Sequence, residues 1–385
     1  MPRPRSEIVN VDETPWYHVV GRCVRRAFLC GVDPCTGRNH DHRRDWVQER
    51  ILQLSSVFAI DVAAFAVMSN HYHIVLRIDA DMAKAWSWVD VAWRWTQLYA
   101  GTDLVRSYLK KPDSFETMIE AEKKELEEQI EIYRERLWDL SWYMRVLNES
   151  IARKANEEDD VTGHFWEGRF KSQALLDEAA ILTVMAYVDL NPIRAGIANG
   201  LLDSKYTSVA MRLQELLQQE EQHQKVAEEQ AQTEAAELNT GNIPTSNTSN
   251  DPTSKNSNPR LLEDAVKKII GLGQGDPPAG VAPMVSQASP DPKPGEDAMM
   301  RLHNEHRLSL LPQAPLMPFD PSSRNPAAIH FDFVDYLELV DETGRIMRED
   351  KKGYIRDTTP KILDQINLQA QTFINQATKP MLRPS

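Results

Sequence analysis

His71 and His73 stand one residue apart in the apolar run His71–Ile78. Residues i and i+2 of a β-strand project from the same face. As a strand, this run therefore presents two imidazoles side by side, with Tyr72 and Ile74 turned the other way toward a core. Two such imidazoles can hold a divalent cation and leave positions open to oxygen ligands and a phosphate. The bare pattern is weak, because two ordinary strand histidines would look the same. The chain carries a second copy, His40-Asp41-His42, in a Gly/Asn/Asp-rich stretch without strand context, which reads as a polar loop. Cys30 and Cys35 would complete the residue types of a zinc site there, but their spacing matches no standard knuckle.

A second chemical signal is the segment Gly163–Lys171, where Arg169 and Lys171 flank Phe170 close to Phe165 and Trp166. Cations that hold phosphates between rings that stack on bases suit single-stranded or hairpin nucleic acid. Core packing of the same three rings is the competing reading. Arg22, Arg25 and Arg26 follow the first strand-like run and could wall a groove. Arg194, beside the helix that carries Tyr187, is a further candidate phosphate contact.

The elements that must position these groups follow from periodicity. Trp16–Val20 has strand composition, and Asp45–Val57 suits a helix. Asp61–Met68 and His71–Ile78 are two strands joined tightly at Ser69-Asn70. Ala83–Leu98 reads as one helix rich in Ala and Trp, whose tryptophans pack rather than stack on bases. Ser107–Glu157 reads as a helical hairpin, Ser172–Leu176 as a short strand and Glu178–Leu190 as a helix. Farther on, Gln214–Glu237 reads as a solvated Gln/Glu-rich helix. The stretches 238–259 and 271–294 have linker or disordered composition around a short helix at 261–270. An apolar cluster from Ile329 to Leu339 marks a small ordered module, followed by a helix at 361–377.

Composition bounds the function. The 385 residues are 41% hydrophobic and carry a formal net charge of −13. That balance weighs against phosphate binding, but the charge is uneven, with glutamates crowding 116–135 and 215–229 and arginines crowding 22–44. No apolar run is long enough for a membrane span, and the Arg-rich start is not a secretory signal. Three cysteines on irregular spacing fit a reducing cytoplasm better than a disulfide framework.

Three blocks then occur in a telling order: Phe65-Ala66-Val67-Met68-Ser69-Asn70-His71-Tyr72-His73-Ile74-Val75-Leu76, Gly163-His164-Phe165-Trp166-Glu167-Gly168-Arg169-Phe170-Lys171-Ser172, and Tyr187-Val188-Asp189-Leu190-Asn191-Pro192-Ile193-Arg194-Ala195-Gly196. Together they resemble the single-tyrosine transposases with a histidine-hydrophobic-histidine motif, found in small insertion sequences and in the REP-associated tyrosine transposases. The resemblance covers about residues 14–210. It implies a ferredoxin-like α+β domain over 1–213, an antiparallel sheet with helices packed against it, enlarged by a helical insert at about 104–157. Residues 214–328 would be a helix and linkers, and 329–385 a C-terminal module without assigned chemistry.

The resemblance further implies that Tyr187 attacks a DNA phosphodiester, joins the 5′ phosphate and leaves a free 3′-OH. A free phenol titrates near 10, so such a nucleophile needs a metal or a base at neutral pH. His71 and His73 would hold Mg or Mn. Asn191, four residues after Tyr187, matches an amide ligand of some relatives, or else caps the helix before Pro192. Tyr143 is a second, weaker nucleophile candidate. The partner would be single-stranded or hairpin DNA, with a monomer or a homodimer equally allowed. A replication-initiator or relaxase-type nuclease, a non-catalytic DNA-binding derivative and a metal hydrolase of another class are the alternatives.

Overall fold

The two apolar runs on either side of Ser69-Asn70 form a hairpin of β2 (Ile60–Val67) and β3 (His71–Ile78), closed by the Met68 N–H donating to the His71 carbonyl at 2.8 Å. Strand β1 (Trp16–Arg22) lies antiparallel along the other side of β3, and β4 (Lys171–Ala174) lies antiparallel on β1. A two-residue β5 (Val285–Ser286) extends the sheet to the order β2-β3-β1-β4-β5. The first four strands have the expected ferredoxin-like order, and the fold is α+β. The computed structural model describes residues 10–24, 29–33, 37–219 and 305–366, with short stretches at 222, 225–226, 282 and 285–286.

Strand parity divides the side chains between two cores. Tyr17 and Val19 of β1 and Tyr72, Ile74 and Leu76 of β3 face one way, under α1 (Arg43–Val57), α3 (Trp88–Leu98), α5 (Glu120–Arg136) and α6 (Leu140–Asp159). Gly21 permits part of this packing, because a Cβ there would lie 2.4 Å from Cζ of Tyr72. On the opposite face Ala64, Ala66 and Val75 meet α7 (Glu178–Asp189). The small alanines let that helix sit close to the sheet.

Two helices stand where the Ala83–Leu98 stretch reads as one. Asp79 caps α2 (Ala80–Ala85) through the Met82 N–H, and Ser87 with Asp90 forms a capping box that starts α3. Two caps eight residues apart make a break cheaper than continuation. The insert holds α4 (Asp103–Lys110), a 3₁₀ turn at Pro112–Thr117, and the α5–α6 hairpin. Arg134 of α5 donates to the carbonyls of Ala83 and Trp86 at the break.

After α7 come α8 (Asn191–Arg194) and a helix, α9, over 208–219. The described C-terminal residues form α10 (Glu305–Ser309), α11 (Phe333–Arg345) and α12 (Ile362–Gln365). Tyr336, Leu337 and Val340 of α11 share the core of α7. Asp189, fully buried at the end of α7, accepts from Ser208 Oγ at 2.6 Å, the Val209 N–H at 3.0 Å and Tyr336 Oη at 2.6 Å. The expected linkers at 238–259 and 271–294 and the helix at 261–270 lie outside the described residues. So do the ends of those expected at 214–237 and 361–377, past 226 and 366. Among the described residues, no helix is long and apolar enough to cross a membrane.

Candidate active site

Parity on β3 puts His71 and His73 on the α7 face of the sheet. Across β1 they pair in register with Arg22 and Val20, and across β4 Val20 pairs with Lys171. Tyr187 comes down on them from α7, its ring edge-on to His73 at a centroid distance of 5.7 Å. These groups line one cavity of about 600 Å³ together with His18, Gln173, Glu167, Arg169 and Lys351. Four cationic side chains, Arg22, Arg169, Lys171 and Lys351, face it against the one carboxylate of Glu167. An acidic chain thus carries a locally basic cavity.

His18 has no counterpart in the sequence reading, yet it organises the site. Its Nδ1 lies 3.2 Å from Gln173 Oε1, and its Nε2 lies 2.9 Å from His73 Nδ1. An amide oxygen only accepts, so His18 Nδ1 carries the proton, and its Nε2 accepts from His73 Nδ1–H. That leaves the lone pair of His73 on Nε2, a buried atom with no partner among the described residues. The two rings are 16° from parallel with centroids 5.2 Å apart. With the nitrogens at 2.9 Å, this is an in-plane N–H···N bond rather than a face-to-face stack. His71 is set the same way: Nδ1 lies 2.7 Å from Asn70 Oδ1, which leaves its lone pair on Nε2.

Burial holds both His18 and His71 down to about 4, and it holds His73 well below the usual imidazole range, with its two histidine neighbours adding to the effect. All three rings are therefore neutral at pH 7, which is the form that ligates a metal. An orphaned Nε2 on His73, a free lone pair on the adjacent His71 and a second shell that fixes the tautomers fit a divalent cation. The site offers two imidazoles beside an open cavity rather than the closed four-ligand set of a structural zinc.

The other expected groups are placed as follows. Asn191 opens α8, with the intervening Leu190 still in αR conformation. Its side chain caps neither helix, its amide nitrogen is buried without a partner among the described residues, and it does not line the cavity. Arg194 does not line the cavity of the histidines and donates to the carbonyls of Thr343 at 2.6 Å and Ile346 at 2.7 Å. Arg169 and Lys171 are exposed at the cavity, and Arg22 lies 3.9 Å from Glu167. Arg25, Arg26 and Cys35 lie outside the described residues.

Phe165 and Phe170 are buried, and Trp166 packs on Tyr72 while donating its indole N–H to the Asn148 carbonyl at 2.8 Å. The rings of that block belong to the core, and its Glu167, Gly168, Arg169 and Lys171 line the cavity. Tyr143 is fully buried with its hydroxyl donating to the Ile51 carbonyl at 2.9 Å, away from any cavity described here. His40 is buried close to Glu158 and Asp159. Buried Arg43 pairs with both of those carboxylates, and His42 with Glu158, so the cluster is balanced by its own cation. Comparison with protein-family models, with curated proteins and with solved structures finds no match to this chain.

Proposed function

We propose that this chain is a metal-dependent, single-tyrosine DNA nuclease of transposase type, which cleaves and rejoins single-stranded, hairpin-forming DNA through a covalent 5′-phosphotyrosine. The observation that carries this reading is the convergence of Tyr187 from α7 with His71 and His73 from β3 in one basic cavity.

In cleavage, Tyr187 Oη forms a bond to the phosphorus while the bond from phosphorus to the 3′ oxygen breaks. The phenol gives up its proton, and the departing 3′ oxygen leaves as a hydroxyl. Rejoining reverses the exchange, with a 3′-OH as the attacking group. One phosphoester replaces another in each direction, so no nucleoside triphosphate is needed.

His71 and His73 would hold Mg or Mn, which when bound polarises the scissile phosphate and offsets charge on its oxygens. His18 and Gln173 keep His73 in the ligating tautomer. Arg22, Arg169 and Lys171 meet the phosphates on either side of the scissile one. The perpendicular packing of Tyr187 against His73 limits where the phenol can swing, which favours a defined line of attack.

The test is incubation of a labelled single-stranded hairpin DNA with the full-length protein and Mg or Mn. A protein–DNA adduct that resists denaturation and disappears in Tyr187→Phe is the expected result. DNA cleavage that survives Tyr187→Phe overturns the proposal. Tight DNA binding with no adduct under any divalent cation supports a non-catalytic derivative instead.

A further inference from the structure

The turn that follows α11 brings a residue of the C-terminal segment into the wall of the tyrosine cavity. Lys351 lines it with His71, His73 and Tyr187. A smaller recess of about 20 Å³ continues beside the tyrosine, again lined by Tyr187 and Lys351, with Arg194 and Arg348 behind them.

This placement is built into the fold at several points. The Lys352 N–H donates to the Arg194 carbonyl at 3.1 Å, and the Arg194 guanidinium holds the last carbonyls of α11. Gly353 is pressed against α8: a Cβ there would lie 2.1 Å from the Ile193 carbonyl oxygen and 3.1 Å from Cα of Gly196. Tyr336 fastens α11 to Asp189, two residues after the nucleophile candidate. Contacts before, within and after the turn thus fix where Lys351 stands.

Charge pairing then singles out Lys351. Asp350 accepts from Arg348 at 2.9 Å, and Arg348 is almost fully buried. Lys351 Nζ is 3.5 Å from the other oxygen of Asp350 and its side chain keeps 29% exposure. The carboxylate is already neutralised by the arginine. Lys351 shares that carboxylate only as its second cation, and its side chain lines the cavity, where a phosphate would be a stronger partner.

We infer that Lys351 is a substrate-binding residue of the tyrosine site, with a phosphate of the DNA backbone next to the scissile bond as its ligand. This rests on the nuclease reading above. It makes the C-terminal segment part of the active site rather than an appended module. A protein cut before α11 would lose this phosphate contact together with the cover over the helix of Tyr187.

The test uses full-length protein, hairpin DNA and Mn, with Lys351→Ala, Lys351→Arg and, as a control on the exposed face of α5, Lys124→Ala. For each, the salt dependence of DNA affinity and the single-turnover rate of adduct formation are measured. Lys351→Ala is expected to lower the slope of log Kd against log salt by about 0.7, the release from one single-strand phosphate contact. It should also slow adduct formation by about tenfold, the order expected for one charge-assisted hydrogen bond. Lys351→Arg keeps the slope, and Lys124→Ala leaves both quantities unchanged. Wild-type slope and rate in Lys351→Ala, with adduct still formed by the wild type, overturn this inference and leave the nuclease reading standing. A wild type that neither binds the DNA nor forms adduct overturns both.

Discussion

Replacing His18 with Phe removes one hydrogen-bond acceptor from the site while keeping a flat ring in its place. His18 is buried, and its Nε2 is the acceptor for His73 Nδ1–H at 2.9 Å. Without it, that donor is stranded in the protein interior, at a penalty of about 1–3 kcal/mol in stability. The larger effect concerns the tautomer. His73 presents an unprotonated Nε2 because its proton is held on Nδ1, and loss of the acceptor frees the proton to move to Nε2. Removing such an outer partner lowers metal affinity by about 10–100-fold, or about 1.4–2.7 kcal/mol.

The assay is titration of Mn into the metal-free protein at pH 7.5, alongside urea denaturation to confirm that His18→Phe remains folded. Gln173→Leu should show the same effect more weakly, since it removes only the bond that biases His18 itself. Wild-type Mn affinity in folded His18→Phe would refute the relay. So would a loss as complete as that of His73→Ala, because it would make His18 a ligand rather than a positioning residue.

Two further outcomes follow from packing and burial. Gly21→Ala drives a Cβ into the ring of Tyr72 and should destabilise the fold by about 1–3 kcal/mol, read as a lower urea midpoint at an unchanged slope; a midpoint equal to wild type means the ring gives way freely. Acidification should also weaken the metal-free protein. His18 is held down to about 4 when folded, whereas an imidazole in the unfolded chain titrates near 6.5. Between those values the unfolded chain binds a proton that the folded protein refuses, so stability rises with pH across the window and is lost as pH falls. His18 alone accounts for about 3 kcal/mol over the full window and about 2 kcal/mol of it by pH 5. A urea midpoint at pH 5 as high as at pH 7 would contradict the buried, neutral assignment.

How much of this was legible in the sequence depends on how local each signal is. The β2–β3 hairpin, the face shared by His71 and His73, and the helix carrying Tyr187 all rest on periods of two or 3.6 residues, and each stands where those periods put it. His18 was missed because a lone histidine in a strand has no pattern of its own. The signal lay one level up. The ferredoxin-like order sets β1 beside β3, and parity then turns His18 to the same face as the histidine pair. Arg194 shows the opposite case. It follows the helix of Tyr187 closely in sequence, but its guanidinium is taken up by the carbonyls at the end of α11.

The hardest element to foresee was the C-terminal segment, yet α7 held a clue to it. From Ala179 to Asp189 every residue except Tyr187 is buried, on both sides of the helix. A helix that packs on a sheet with one face needs apolar residues on that face alone. One that is almost wholly apolar round its circumference, as Ala179–Val188 is with Thr183 and Tyr187 as its hydroxyl-bearing residues, requires a second layer. Among the described residues, α11 supplies that layer with Tyr336, Leu337 and Val340. The demand for a cover was therefore written in α7 itself, and the cover that answers it is the element that carries Lys351 to the cavity. Within Ala179–Asp189, Tyr187 is the one position that the two layers leave partly uncovered, and there the cavity opens.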